Sequence, residues 1–275
     1  GGTGGILNES GVPNLIINND PTFKSTFETS NQQILGASIA NLGNQTAYTF
    51  MCWVKQDPLQ DNSAGILILN GDNCSLHTHD SGGVIWQVRE SGSSSGDKVV
   101  DTGSGNYGTA WGDLDDGSWH HVCGTWDNSG SGTSKIYIDG REQATRNIGT
   151  GATTDGTQPL EMFTKDTAQD NDFIGEIMDV KCFNSNIGAT EVALMASKMN
   201  ADISLLSSAS QTACQAWYKL NNVTETAVQD SSGKTNHGPA GGISTNGSAL
   251  VDVFDNFSVN VQDATTTTTG TTTVT

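Results

Sequence analysis

Basic residues are scarce in this chain. It carries 12 Lys and Arg against 30 Asp and Glu, which gives a formal net charge of −18 over 275 residues. This charge repels nucleic acid and anionic membrane surfaces, so neither is an expected partner. The sequence contains no run of about 18 apolar residues, so no membrane insertion is expected.

Proline and hydrophobic residues are also few, whereas glycine is abundant. There are 5 Pro and 33 Gly, and hydrophobic residues make up 34% of the chain. Short strands joined by long polar loops fit this composition, and 275 residues are enough for one large β-sandwich with appendages. The composition therefore favours an all-β protein.

Paired cysteine motifs are missing. The chain has 5 Cys, an odd number, and no CxxC sequence. Cys52, Cys123 and Cys182 fall inside apparent strands, which favours buried, apolar free thiols over disulfides. Free thiols suit assembly in a reducing cytoplasm better than secretion.

Several segments have the composition of strands. Tyr48–Val54 is rich in aromatic and β-branched residues and is apolar on both faces, which predicts a central strand covered on both sides. Gly65–Leu69 and Val84–Val88 predict two more strands. Between these and the next apolar region, Glu90–Gly108 is rich in Ser and Gly and predicts an exposed loop.

A β-hairpin is the clearest local motif. Its first strand alternates from Trp119 to Trp126, and a polar loop follows over Asp127–Gly132. The second strand ends in Asp139–Gly140, a dipeptide typical of hairpin turns because its residues tolerate positive φ.

A last strong strand and a helix follow. Phe173–Phe183 predicts the strand, with Val180 and Cys182 on the face of Met178. In Thr190–Met199 the apolar residues recur at helical spacing, and Thr190 is the expected N-cap with an acidic residue next to it.

These motifs together resemble a known family. The hairpin reads W-H-x-V … Y-x-D-G and the closing strand F-x-G-x-I-x-D-V, followed by a short helix. This order is similar to laminin G-like jelly-roll domains of the concanavalin A-like group, over about Ile34 to Met199. The resemblance implies an all-β concanavalin A-like jelly-roll β-sandwich with a short helical connector and a small C-terminal β extension. We expect seven residues in or beside its core: Trp53, Trp86, Trp119, Val122, Tyr137, Ile177 and Val180.

The C-terminal part resembles the opening of a second such module. Its two motifs are Ala216–Leu220, which reads A-W-Y-K-L, and Asp230–Gly238, which reads D-S-S-G-K-T-N-H-G. The body of a second module does not follow. Instead the chain continues to an expected strand at Phe257–Val261 and a run of threonines from Thr265 to Thr275. The two motifs, over residues 216–238, are called the coda below. A jelly roll followed by this coda is similar to virion and tail-associated proteins of tailed phages.

The expected organisation has four parts. They are an extended N-terminal arm over residues 1–30, a jelly roll over 31–200, a C-terminal extension over 201–262 and a Thr-rich tail over 263–275.

Catalysis is not expected. Glycoside hydrolases of this fold carry E-x-D-x-x-E on one strand, where alternation places the first two acids on one face. The nearest match, Glu176 and Asp179, has a spacing of three and no third acid. The chain also lacks G-x-S-x-G, H-E-x-x-H and phosphate-loop motifs.

Calcium is the expected cofactor, if any is bound. The resemblance implies one ion at the rim of the sandwich, held by loop carboxylates and carbonyls. Asp170 and Asp172 are the first candidate ligands, and Asp72 is the next. Ordinary solvated acidic loops are the alternative. A second metal candidate, His77 with His79, has a polar edge strand as its alternative.

Sugar contact is expected at two aromatic residues. Tyr107 and Trp111 lie among glycines in a polar segment, where exposed rings can stack on a sugar. Core packing is the alternative.

Two functions from different classes follow. The first is a non-catalytic structural module of a virion surface, either a capsid decoration or a tail appendage, whose partners are copies of itself and other virion proteins. The second is a secreted or cell-surface lectin that binds glycans in a calcium-dependent way. Composition and motifs alone leave both open.

Overall fold

The computed structural model describes a large central part of the chain. The described residues are 22–24, 34–43, 45–56, 66–70, 74–78, 83–89, 97–101, 114–130, 132–147, 159–162, 173, 175–220, 227–240 and 250–251.

Strands dominate these residues. They are β1 (Thr22–Lys24), β2 (Ile34–Ser38), β3 (Ala47–Gln56), β4 (Ile66–Asn70), β5 (Cys74–Thr78), β6 (Val84–Arg89), β7 (Asp97–Asp101), β8 (His120–Asp127), β9 (Thr133–Ile138), β10 (Arg141–Asn147), β11 (Pro159–Met162), β12 (Gly175–Phe183), β13 (Cys214–Tyr218) and β14 (Leu250–Val251). The helices are α1 (Ala189–Met195) and α2 (Ser208–Ala213), with 3₁₀ turns at Ala40–Leu42, Leu114–Asp116 and Ile203–Leu205.

The strands form two antiparallel sheets. The larger sheet has the order β10-β9-β8-β3-β12-β1-β14, and β13 also pairs with β12. Strands β1 and β13 share one edge of β12, because β1 pairs at Glu176 and Ile177 whereas β13 pairs from Val180 onward. The smaller sheet has the order β2-β11-β4-β5-β6-β7. The expected β-sandwich is confirmed.

The predicted hairpin and central strand are both present. Strand β3 is flanked by β8 and β12 and is buried along most of its length. The Asp-Gly turn that ends the hairpin joins β9 to β10, with φ of 50° at Asp139 and 75° at Gly140, which are the two positive values of a type I′ turn.

The main core lies between the two sheets. Its side chains come from the inward faces of both, and Trp86 and Trp126 are among the largest fully buried ones. Six of the seven residues expected in or beside the core lie there, and Tyr137 lies in the cluster on the outer face of the larger sheet. Five are buried, while Trp53 and Trp119 are partly buried against the core.

A second cluster lies on the outer face of the larger sheet. Residues 184–213, which we call the connector, contain both helices and follow β12. Apolar side chains of the connector, such as Val192 and Met195, pack with Met51, Cys123 and Trp217 of the sheet. The outer face of these strands is therefore covered by the chain itself.

Three local predictions differ from the structure. The segment expected to be a loop over Glu90–Gly108 contains β7, which pairs with β6. Helix α1 begins after Gly188, so Thr190 lies inside the helix, and it ends at Met195. Strand pairing and packing set these boundaries, whereas local sequence signals place them only to within a few residues.

All five cysteines lie in described strands, and all are buried and free. The prediction of buried thiols is confirmed. Among the helices of the described residues, none is long and apolar enough to cross a membrane.

The C-terminal segment joins the same sandwich. Strand β13 pairs with β12, and Asp230 forms a β-bridge with Tyr218. The segment that resembles the opening of a second module therefore lies on the larger sheet of the first. The expected boundaries at residues 30 and 262 lie outside the described residues.

Candidate functional site

The outward face of the smaller sheet is the candidate site. Its register aligns one residue from each strand. This line, from β2 to β7, consists of Leu35, Glu161, Leu69, Ser75, Gln87 and Val99. His77 and Ile85 form a second pair one step along β5 and β6. We call this surface the open face.

Alternation explains why every second side chain of β6 points outward. In β6, Val84, Trp86 and Val88 are buried in the core, whereas Ile85 and Gln87 are half-buried. Strands with a period of two place every second residue on the face away from the core. On the open face, His77, Ile85, Gln87 and Glu161 are therefore half-buried, whereas Ser75 is buried at 4% exposure.

Polar groups are concentrated at the middle of the open face. Ser75 and Gln87 are Cα partners, and the Ser75 hydroxyl contacts Nε2 of His77. Glu161 lies two strands from Ser75. With adjacent strands about 4.8 Å apart, these groups present amide, imidazole and carboxylate atoms at spacings suited to the hydroxyls of a sugar.

A polar cluster also lies at the hairpin end of the larger sheet. His120 Nδ1 is 2.9 Å from Asp139 Oδ2, and His120 Nε2 is 3.2 Å from Asp116 Oδ1. The hydrogen bond to Asp139 is the first cause of a raised pKa for His120, and burial opposes it. A backbone hydrogen bond from Ser118 is the first cause that lowers the pKa of Asp116. Through His120, the cluster joins the Asp139–Gly140 turn to the 3₁₀ turn at Leu114–Asp116.

His121 has a different environment. It is buried, its ring makes an edge contact with Trp53, and its backbone N–H donates to Asp139 Oδ1. Burial, followed by the charge of Lys181, lowers the pKa of His121 to about 3. The imidazole is therefore neutral at physiological pH, and it serves packing rather than proton transfer.

A charged pair is buried where β12 passes from β1 to β13. Asp179 has φ of 57° and lies in a β-bulge. Its Oδ1 accepts hydrogen bonds from Lys181 Nζ and, at 2.7 Å, from Trp217 Nε1. Burial is the first cause of both pKa shifts, because it raises the pKa of Asp179 and lowers that of Lys181, and each partner's charge opposes the shift.

The two acids closest to a hydrolase motif do not share a site. Glu176 is 3.6 Å from Lys55 Nζ, whereas Asp179 binds Lys181 and Trp217. Neither carboxylate is placed as the second member of an acid pair across a glycosidic bond.

The predicted ligands lie elsewhere. Asp72, Asp170, Asp172, Tyr107 and Trp111 all fall outside the described residues, so the structure places none of them. The same holds for His79. Within the described ranges, no group of three or more His, Cys, Asp or Glu side chains is arranged to hold a metal ion.

Sequence reasoning missed the open face. The alternation in β6 is visible in the sequence, and a polar edge strand is the sequence alternative at His77, but β5 lies inside the sheet between β4 and β6 rather than at its edge. Ser75, Gln87 and Glu161 come from separate parts of the chain and meet only through strand register. A single sequence carries no signal for such pairing.

Solved structures share this fold, although no curated protein sequence matches the chain. A carbohydrate-binding candidate protein from Bacteroides ovatus superposes with a TM-score of 0.57 at 11% sequence identity, over 81% of this chain and 58% of that one. The chain thus spans little more than half the length of that protein.

Other solved structures are more distant. The heptameric SAP-like pentraxin of Limulus polyphemus has a TM-score of 0.48 and 16% identity, covering 68% of this chain and 86% of that one. The binding domain of botulinum neurotoxin serotype G has a TM-score of 0.43 and 14% identity, covering 59% and 37%.

The family comparison is decisive for the fold. The family model described as the concanavalin A-like lectin/glucanases superfamily matches residues 28–193. This region contains the hairpin and β12, and it is more than half of the chain. The chain therefore belongs to the laminin G-like branch of the concanavalin A-like lectin and glucanase superfamily.

Proposed function

We propose that this chain is a non-catalytic interaction module that binds neutral glycans on its open face. One observation carries the proposal. The larger sheet is covered on its outer side by the connector, whereas three half-buried polar side chains, His77, Gln87 and Glu161, lie on the outward face of the smaller sheet. The Bacteroides protein of the same fold, itself a carbohydrate-binding candidate, supports the choice of ligand class.

The side chains of the open face suit hydroxyl groups. The Gln87 amide has donors and an acceptor on one planar group. His77 adds a ring nitrogen beside Ser75. This mixture of donors and acceptors matches a sugar ring, whose hydroxyls both donate and accept.

Charge selects among glycans. The chain has a net charge of −18, and Glu161 places a carboxylate on the face itself. Polyanionic glycans are repelled by such a field. Neutral polysaccharides are therefore the expected ligands.

A glycan array tests this function. The intact chain is expected to retain neutral glycans and to ignore sialylated and sulfated ones. Gln87→Ala should weaken the best ligand about tenfold, as expected for loss of a good hydrogen bond. The matched control is Gln143→Ala, because Gln143 is also a half-buried glutamine but lies in β10 of the other sheet. Absence of any glycan binding would overturn the proposal.

A second role is favoured by the C-terminal coda, which resembles virion proteins of tailed phages. We propose that the module is carried on a virion surface, with copies of itself and other virion proteins as partners. Strands β1 and β14 pair at one edge of the larger sheet, so both terminal segments meet the sandwich at the same place. Purified native particles that lack this chain would contradict the virion role, and a secreted or cell-surface lectin would then be favoured.

Calcium remains a proposal of its own. Asp170, Asp172 and Asp72 are the proposed ligands, with the acidic character of the chain as support. Calcium at about 100 times its dissociation constant adds about 2.7 kcal/mol to the free energy of unfolding. Thermal melts with chelator and with added calcium measure this difference, and identical curves would contradict it.

A further inference from the structure

The strand orders of the two sheets end in four strands. These are β10 and β14 in the larger sheet and β2 and β7 in the smaller one. A strand at the end of a sheet presents backbone N–H and carbonyl groups on its free side, so it can pair with a strand of another molecule. Charged side chains, a very short strand or a covering segment prevent such pairing.

Three of the four end strands are protected by their own sequence. Strand β10 has three charged residues among seven, and β7 has three among five. Strand β14 has two residues, too few for a long ladder. These strands therefore need no cover to resist strand addition.

Strand β2 has neither protection. Its sequence, I-L-G-A-S over Ile34–Ser38, contains no charged residue and no proline. Both β2 and β10 contain a shift in register, so charge is what separates them. By composition, β2 is the end strand most open to strand addition.

The coda covers the free side of β2. The Ala37 N–H donates a hydrogen bond of 2.9 Å to Tyr218 Oη, and a Cβ at Gly36 would lie 2.7 Å from the Tyr218 ring. At Gly238, a Cβ would collide with the Leu35 carbonyl oxygen. The coda thus lies against three consecutive residues of β2.

Hydrogen bonds within the coda hold this cover in place. The Tyr218 hydroxyl donates to the Asn236 carbonyl, and the Asn236 N–H donates to Asp230 Oδ2 at 2.9 Å. The Gly238 N–H donates to the carbonyl of Val228, whose side chain is buried in the main core. The covering residues are therefore fixed to the sandwich.

The cover comes from outside the family region. The family match ends at residue 193 and includes β2, whereas the coda follows it. Through β13, the backbone of the coda belongs to the larger sheet, while its side chains and its loop reach the end strand of the smaller one. The coda therefore adds to this chain a protection that the matched region lacks.

We propose that the coda is an intramolecular cap that blocks strand addition at β2. An incoming extended segment would need the N–H and carbonyl groups along the free side of β2. Tyr218 occupies the Ala37 N–H and Gly238 stands at the Leu35 carbonyl, so these groups are not available to it. The cap keeps copies of the chain from pairing edge to edge. This role is independent of glycan binding by the open face.

Two glycine-to-alanine variants of the full-length chain test the cap. Gly238→Ala places a methyl group against the backbone of β2 and should move the coda away from it. Gly188→Ala is the matched control, because nothing lies within 4 Å of a Cβ there. Light scattering after size exclusion should show a larger oligomer fraction for Gly238→Ala than for wild type or Gly188→Ala at the same concentration. Equal fractions would overturn the proposal.

A third variant shows whether the oligomers form through β2. Ser38 is exposed in β2, so Ser38→Lys places a charge on this strand without entering the core. The double variant Gly238→Ala/Ser38→Lys should return to the oligomer fraction of wild type. Oligomers that persist in the double variant would overturn the proposal, because general unfolding rather than the β2 edge would then be their cause.

Hydrogen exchange provides a readout that does not depend on association. The wild-type Ala37 amide should exchange slowly although it lies in an end strand. Tyr218→Phe keeps the ring but removes the acceptor, so exchange at Ala37 should become about tenfold faster, as expected for loss of one hydrogen bond. A wild-type Ala37 amide that exchanges as in an unfolded chain, or an unchanged rate in the variant, would overturn the proposal.

Discussion

The Tyr218 hydroxyl joins the two sheets of the sandwich. It accepts a hydrogen bond of 2.9 Å from the N–H of Ala37 in β2 and donates one of 2.8 Å to the carbonyl of Asn236. Tyr218 itself lies in β13 of the larger sheet. One hydroxyl thus satisfies backbone groups from two distant parts of the chain, and burial raises its pKa above the ordinary value.

Removal of this hydroxyl should destabilise the protein. Tyr218→Phe leaves the Ala37 N–H and the Asn236 carbonyl without this partner, and each unsatisfied group costs about 1–3 kcal/mol. We expect a loss in that range for the free energy of unfolding, measured by urea titration. Tyr137→Phe is the control, because Tyr137 is also a buried tyrosine of the larger sheet but packs on its outer face rather than between the sheets, and its change should be smaller. Equal effects of the two variants would contradict this account.

The buried charged pair should be more costly to break than to replace. Asp179→Ala leaves Lys181 buried without its carboxylate, which typically costs about 3–5 kcal/mol. The double variant Asp179→Ala/Lys181→Met removes both charges and should recover much of this loss. Denaturant unfolding of the single and double variants measures the difference. A double variant less stable than Asp179→Ala would show that the pair itself is stabilising.

The cluster around His120 should make stability depend on pH. The pKa of His120 is raised in the folded state. The contribution of His120 to the free energy of unfolding is therefore complete below the unfolded pKa of 6.5 and is lost as pH rises through the folded pKa. The pKa of Asp116 is lowered in the folded state. Its contribution to the free energy of unfolding is therefore present above the unfolded pKa of 3.8 and is lost as pH falls through the folded pKa. The difference in Tm between wild type and His120→Gln should be largest between about pH 4 and 6.5. A difference that does not change with pH would contradict the assignment.

The sequence predicted the fold because its strongest signals are local. Alternation and aromatic content define the hairpin of β8 and β9, the Asp139–Gly140 turn ends it, and each signal is set by neighbours in the chain. Strand β7 was missed because a Ser- and Gly-rich segment has little strand propensity of its own, and pairing with β6 supplies the stabilisation.

The candidate site could not be predicted from the sequence, because its residues meet only through the pairing of strands that are distant in the chain. Gln87 is adjacent to Ser75 only because β5 and β6 pair in one register, and Glu161 joins them through β11 and β4. A slip of one residue would turn each side chain to the other face. The predicted calcium ligands and sugar-contacting residues lie outside the described part of the chain and remain predictions. Asp170 and Trp111 are examples.

The Thr-rich tail should act in assembly rather than in folding. Thr265–Thr275 has almost no apolar side chain, so it cannot bury enough surface to fold alone, but its β-propensity suits addition to a partner's sheet edge. Deletion of this segment should weaken assembly and leave the Tm of the sandwich nearly unchanged. Particle or oligomer yield together with a thermal melt checks both parts. Unimpaired assembly of the truncated chain would favour the lectin over the virion role.

Amide chemical-shift mapping with the best neutral glycan tests the open face most directly. The account predicts that the largest shifts fall on Ser75 and His77 in β5 and on Ile85 and Gln87 in β6. Residues of the connector, on the opposite side of the sandwich, should change little. Largest shifts on the connector or the larger sheet, with β5 and β6 unchanged, would contradict the assignment of the open face as the binding site.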